Sequence, residues 1–181
     1  MFFTYMSSQR NPLDPSLERF LSQVARRGSW IGGGSVAALG VAASAALLEK
    51  LTLDPGQANR LRTIRRRCTR LVEQDAVVFS KVIAAMRSDR PAQFRQALRH
   101  AIDVPCRVME QAYAVQRFGR RARRAIRPQF QSDVRCALAF AAAAAAAAHG
   151  FIQINLAWLG DPSYRQQIHR RLAMAAQRHE R

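Results

Sequence analysis

The sequence predicts an all-α fold, a single-domain helical bundle of about five or six helices, two of them long. Two observations carry this. Apolar residues recur at steps of three and four in one segment after another, and no stretch alternates apolar with polar residues as a half-buried strand does. Proline, glycine and aspartate fall between the periodic segments, where turns belong. The 181 residues, 49% of them hydrophobic, suffice for one domain with a sizeable core.

The elements follow in order. Residues 1–13 precede the first start signal and are expected to be flexible. Asp14 and Pro15 open a helix over 15–27, with Gly28 as its terminator. The stretch WIGGGSVAAL, residues 30–39, places three glycines before a second helix that runs to Leu51, and Ser35 is expected to cap it. LDPG at 53–56 is a turn. A long helix over 57–87 carries Leu61, Ile64, Cys68, Leu71, Phe79, Val82 and Met86 on one stripe. Asp75 falls in the gap between Leu71 and Phe79 and so lies on the same buried stripe.

Pro91 opens a further helix over 91–118. Pro105 inside it should kink the helix or divide it in two. Residues 119–131 read as a basic loop. Ser132 and Asp133 form a capping pair for a helix that continues to Leu159, GDPS at 160–163 breaks it, and a basic helix covers 164–178. The alanine run Ala141–Ala148 permits close approach of a second helix, and points to the centre of the bundle or to a dimer interface. Low complexity in an Ala-rich composition is its plain alternative.

Composition excludes several classes. The longest apolar run, Cys136–Ala148, is too short for a membrane span, and the N-terminus lacks the pattern of a signal peptide. Cys68, Cys106 and Cys136 are odd in number and far apart. They read as core residues in a reducing compartment, and with the histidines they make no metal-ligand spacing. The net charge is +17, and 27 of the 29 basic residues are arginine. Such a balance favours polyanionic partners such as nucleic acid, acidic membrane or a polycarboxylate, or it reflects base composition alone. The aromatic fraction is 8% and no helix-turn-helix signature is present, so nucleic-acid binding rests on charge alone.

Gly32, Gly33, Gly34 and Ser35 can act as a nest for an anion or a flat ring, or form a plain glycine turn. Asp75 on an apolar stripe is either a desolvated carboxyl with a raised pKa, able to move protons, or a buried partner of an arginine or a helix end. Asp133 is a second carboxylate, or simply a favourable charge in a first helical turn. Asn155 can bond a ligand edge or a neighbouring backbone. Asp103 is a further acidic candidate. The arginine clusters at 60–70 and 117–127 are solvated faces or an anion surface.

Several stretches occur in an order that resembles one family. LERFLSQVARRGSWIGGGSVAALGVAASAALLEKLT is similar to the opening of the formiminotetrahydrofolate cyclodeaminase and methenyltetrahydrofolate cyclohydrolase family. LVEQDAVVFSKVIAAM, DVPCRVMEQA and SDVRCALAFAAAAAAAAHGFIQINLAWLGD resemble its next helices. The likeness spans about residues 17–165. It departs at Ile31, where the family has proline, and at LDPGQANRLR, where the family has a glycine and several lysines.

The resemblance implies an all-helical cytoplasmic homodimer that acts on folate one-carbon units. Cyclodeaminases convert 5-formiminotetrahydrofolate to 5,10-methenyltetrahydrofolate and ammonia, and cyclohydrolases interconvert the methenyl and 10-formyl forms. Such a reaction needs a carboxyl that moves protons, and Asp75, desolvated on its apolar stripe, is the first catalytic candidate, with Asp133 the second. Gly32, Gly33, Gly34, Ser35, Ser132 and Asn155 would bind the folate, polyglutamylated or not, with no metal and no cofactor beyond the folate. A diverged, non-catalytic member and a basic helical nucleic-acid-binding protein are the alternatives.

Overall fold

The computed structural model describes residues 15–88, 90–123 and 125–180. The expected flexible segment, 1–13, lies outside the described residues. Six α-helices are present among those described: α1 (Pro15–Ala25), α2 (Gly33–Leu51), α3 (Pro55–Met86), α4 (Pro91–Ala122), α5 (Gln131–Leu159) and α6 (Pro162–Glu180). A short 3-10 turn at Pro128–Phe130 precedes α5. The described residues contain no strand.

Local chemistry sets most boundaries. Gly28, at φ +77°, follows α1 in the left-handed region that glycine enters freely. Asp54 caps α3: its Oδ1 accepts from the Gly56 and Gln57 N–H groups at 2.8 and 3.3 Å, with Pro55 in the first turn. Asp161 does the same for α6, accepting from the Tyr164 N–H at 3.0 Å, and its other oxygen accepts from Arg99 of α4 at 3.2 Å.

Three sequence expectations are corrected here. Ser35 does not cap α2. The cap position is Gly32, and Ser35 sits within the first turn with its side chain turned away to α3. Ser132 and Asp133 do not cap α5, which begins at Gln131 after Phe130, so both lie in its first turn and no side chain closes that end. Pro105 does not divide the fourth segment, since α4 is continuous from Pro91 to Ala122. A proline inside a helix costs about 3 kcal/mol relative to alanine, and packing on both sides outweighs it here. Pro105 and its neighbours Val104 and Cys106 are buried.

The core forms where α2 lies against α3, α4 and α5, and α4 against α5. Leu48, Leu61, Leu98, Ile102, Ile152 and Leu156 are its largest fully buried side chains. Each contributes about 1.5–3 kcal/mol. The buried positions of α5 include Ala137, Ala141, Ala144, Ala148, Ile152 and Leu156, on one stripe. Alanines at those steps bury little area each but let the α5 backbone close on α2 and α4. By length and hydropathy α2 and the segment Pro128–Leu159 could each cross a membrane. The bundle instead uses one side of each as core. The other side of α5 exposes Phe140, Ile154 and Trp158 beside small residues.

Arginine pairs tie the outer helices down. Arg62 and Arg65 of α3 meet the two oxygens of Glu49 on α2 at 2.9 and 2.8 Å, and they hold its carboxyl below its ordinary pKa. Arg171 of α6 spans Asp103 and Glu110 of α4 at 2.7 and 2.6 Å. Cys68 and Cys106 are core residues as expected, with thiols pushed up to about 12 by burial. Cys136 is exposed, because its place on α5 falls on the side away from α2 and α4.

Candidate active site

The first turn of α2, the middle of α3, the proline turn of α4 and the last third of α5 converge on one cleft of about 290 Å3. Its polar groups are few. Asp75 comes from α3 and Asn155 from α5, and the glycines Gly32, Gly33 and Gly34 bring backbone to the wall. Trp30, Phe79, Phe151 and Trp158 supply flat apolar surface. Trp30 and Phe79 meet edge to face, ring centres 6.1 Å apart.

Asp75 is the chemical centre. Its Oδ2 lies 3.0 Å from the Ser35 hydroxyl, and the Ser35 backbone N–H, in the first turn of α2, also bonds the carboxyl. Burial pushes the carboxyl above its ordinary pKa, against both Ser35 bonds, which act to lower it. Among the described residues no arginine pairs with it. Of the two structural readings, the helix-end partner is therefore the one realised. The stripe assignment holds in part: Leu71 is buried, whereas Phe79 is 46% exposed. Phe79 faces the cleft and Trp30 rather than the core.

The glycine run now has a physical reason. A Cβ on Gly34 would overlap the Asp75 carboxyl group, and one on Gly33 would stand 2.6 Å from Phe151 Cζ. A Cβ on Gly32 would meet nothing within 4 Å. Two of the three glycines are thus fixed by side chains that dock onto the start of α2. The orphan N–H groups of a helix start and their partial positive charge are met by a carboxyl group of the protein itself.

Ser35 is fully buried and equidistant, within 0.1 Å, from two acceptors: Val72 O at 2.9 Å and Asp75 Oδ2 at 3.0 Å. A hydroxyl carries one hydrogen. When Asp75 is ionised, that hydrogen belongs on its carboxylate. When Asp75 is protonated, the acid can donate to Ser35 Oγ while Ser35 donates to Val72. Both protonation states of Asp75 therefore find complete hydrogen bonding after one hydroxyl rotation.

Asn155 lines the same cleft, and its Nδ2 donates to the Ala101 carbonyl at 2.9 Å. Its backbone-partner reading is realised while it keeps its place on the wall. Asp133 and Ser132 stand elsewhere. Phe151 follows Asp133 along α5 by about 27 Å at 1.5 Å per residue, and Asp133 lies 4.0 Å from Lys50 on an exposed surface. Within one chain the expected pair Asp75 and Asp133 is not brought together, because the two belong to opposite ends of the bundle. Asp103 is engaged by Arg107 and Arg171.

Trp30, Phe79, Phe151 and Trp158 were not among the expected site residues. Nothing in their spacing distinguishes a cleft wall from a core stripe. A larger, shallower groove of about 750 Å3 runs past His149 and His169 between α4, α5 and α6, but no carboxyl lines it. Among the described residues, no three of His, Cys, Asp and Glu group as metal ligands.

Comparison with known proteins supplies the context. Residues 55–174 match the family model described as formiminotransferase-cyclodeaminase. Among solved structures, the chain is similar to formiminotetrahydrofolate cyclodeaminase from Thermotoga maritima, with a TM-score of 0.83 over 91% of this chain and 89% of that one. Sequence identity is 22%, so this likeness is one of fold. Comparison with curated proteins returns no match. With the family model spanning most of its helices, α3 to α6, the chain belongs to the formiminotransferase-cyclodeaminase family.

Proposed function

We propose that the cleft binds a reduced folate and that Asp75 moves protons at its one-carbon unit, as a cyclodeaminase or as the related cyclohydrolase. One observation carries this reading: a single carboxyl with a raised pKa stands in an aromatic-walled cleft, with hydrogen bonds available to both of its protonation states. Flat apolar walls suit a pterin ring. The chemistry needs a group that accepts and returns a proton near neutral pH.

In cyclodeamination, N10 attacks the formimino carbon and Asp75 takes the N10 proton. The formimino group reacts as its protonated amidinium, so its nitrogen is then an NH2 group. Asp75 returns the proton to that nitrogen as the C–N bond breaks, releasing ammonia and leaving the methenyl cation. In the hydrolytic case Asp75 takes a proton from the water that attacks the methenyl carbon and returns it to N5 as the C–N5 bond breaks, while the carbinol hydroxyl loses its proton to solvent and becomes the 10-formyl carbonyl. Ser35 serves both directions by turning its hydroxyl between Val72 and Asp75. Gly33 and Gly34 keep the helix start open for the Asp75 carboxyl, and Asn155 lines the wall opposite. Asp133 and Ser132 have no part within one protomer on this reading. A cytoplasmic setting accords with it.

The exposed side of α5 supports a homodimer. Phe140, Ile154 and Trp158 are each more than half exposed, the last two also lining the cleft, with the small residues Ala139, Ala143, Ala147 and Gly150 beside them. An uncovered apolar face of this kind marks an interface, and its small residues allow a second copy of α5 to approach closely.

The deciding experiment incubates the protein separately with 5-formiminotetrahydrofolate and with 5,10-methenyltetrahydrofolate and follows the methenyl absorbance. A gain with the first substrate identifies a cyclodeaminase, and an accelerated loss with the second a cyclohydrolase. No change with either, at protein concentrations that bind folate, would leave a binding protein without turnover.

A further inference from the structure

The proline in α4 and the asparagine in α5 are joined by one hydrogen bond that explains both. In a continuous helix the carbonyl of residue 101 would accept from the N–H of residue 105. Residue 105 is proline, which has no N–H, so the Ala101 carbonyl is released. Asn155 Nδ2 takes it at 2.9 Å. Ala101, Pro105 and Asn155 all line the cleft that holds Asp75.

The consequence is an orientation. An asparagine amide has one donor end and one acceptor end. With Nδ2 committed to α4, the amide plane is fixed, and Oδ1 accepts no hydrogen bond from the described residues. We propose that Pro105 is a positioning residue that acts through the Ala101 carbonyl to lock Asn155, so that Asn155 Oδ1 is a fixed acceptor for an N–H group of the ligand. The site thereby selects molecules that present an amine or ring N–H at this point and disfavours those that present only acceptors. This inference rests on the reading of the cleft as a folate site, whose reduced pterin ring carries such donors.

The test has a part that needs no ligand. Pro105→Ala places a good helix former in a helix interior, so the variant folds, and it gives the Ala101 carbonyl a backbone N–H. Hydrogen exchange of the Asn155 side-chain amide, followed by NMR on 15N-labelled protein, should be slow in the wild type and at least ~10-fold faster in Pro105→Ala. Equal exchange in the two proteins overturns the positioning role.

The second part measures the dissociation constant of 5-formyltetrahydrofolate by tryptophan quenching in the wild type, Pro105→Ala, Asn155→Ala and the double variant. Each single change should weaken binding about 3- to 10-fold, the worth of one hydrogen bond. The double variant should bind no more weakly than Asn155→Ala. Effects that multiply in the double variant overturn the coupling, whatever the melting temperatures do. A wild type that does not bind this probe bears on the folate reading alone, and the exchange result then decides the positioning role by itself.

Discussion

The Asp75 carboxyl occupies the space that a Cβ on Gly34 would fill, so the glycine run at the start of α2 and the lone acidic residue on the α3 stripe are two halves of one contact. A carboxyl of α3 closes the first turn of α2, and the same contact holds that carboxyl on the wall of the cleft.

Gly34→Ala should therefore push Asp75 off Ser35. A misplacement of about 1 Å costs on the order of 10²-fold in turnover, and overpacking costs about 1–3 kcal/mol in stability. Gly32→Ala, with nothing within 4 Å of the added atom, should leave both almost unchanged. Steady-state rates and melting curves on the two variants check the contrast. Equal effects at the two positions would contradict it.

Ser35→Ala removes a bond that lowers the Asp75 pKa, so that pKa should rise further. With Asp75 acting as a base, kcat/KM increases as the carboxyl ionises, and the rising limb of the pH profile should move to higher pH. Stability should fall by about 1 kcal/mol for the lost hydrogen bonds. A pH–rate series on the variant, read beside its melting temperature, gives both quantities. An unmoved limb would separate Ser35 from the titration.

Arg171→Ala leaves Asp103 and Glu110 without their shared partner and loosens α6 from α4. The side chains are about 30% exposed, so the loss is that of a partly screened pair, about 1–3 kcal/mol. Turnover per folded molecule should stay at the wild-type value, since this cluster is not part of the cleft. Chemical denaturation with a parallel assay tests it.

Ala143→Arg puts a charge in the middle of the exposed α5 side. Wild type should scatter as a dimer and the variant as a monomer of 20.3 kDa with unchanged helix content. A wild-type monomer would contradict the proposed interface.

The helices were legible because each carries several independent signals. Leu61, Ile64, Cys68 and Leu71 repeat at helical steps and are all buried, and Gly28 adopts the positive φ expected of a terminator. Asp75 was legible as a desolvated carboxyl from its stripe alone. A helix end was one of the two partners its position allowed; that the end is the start of α2 was not legible, because the bond comes from a serine 40 residues earlier in the chain. Neither Ser35 nor Ser132 is a cap, for different reasons: the Ser35 hydroxyl is claimed by Val72 and Asp75 of α3, and α5 starts at Gln131, so Ser132 already lies inside its first turn. Phe79 keeps helical register with the core yet lines the cleft, and Cys136 falls on the open side of α5. Register does not say which stretch of a stripe another helix covers.

The central claim is that Asp75 carries the proton. A carboxyl with a folded pKa above its unfolded value binds more protons in the native state, so native stability falls as pH rises between the two values. Asp75→Asn removes that titration while keeping size and an acceptor for Ser35. The variant should match or exceed the wild type in melting temperature above about pH 4, with the difference shrinking at lower pH. Its conversion of the folate substrate, measured as change in methenyl absorbance per folded molecule at pH 7, should be lower by roughly 10²–10⁴. A variant that loses several kcal/mol of stability yet turns over at the wild-type rate would contradict the claim and make Asp75 a structural cap of α2.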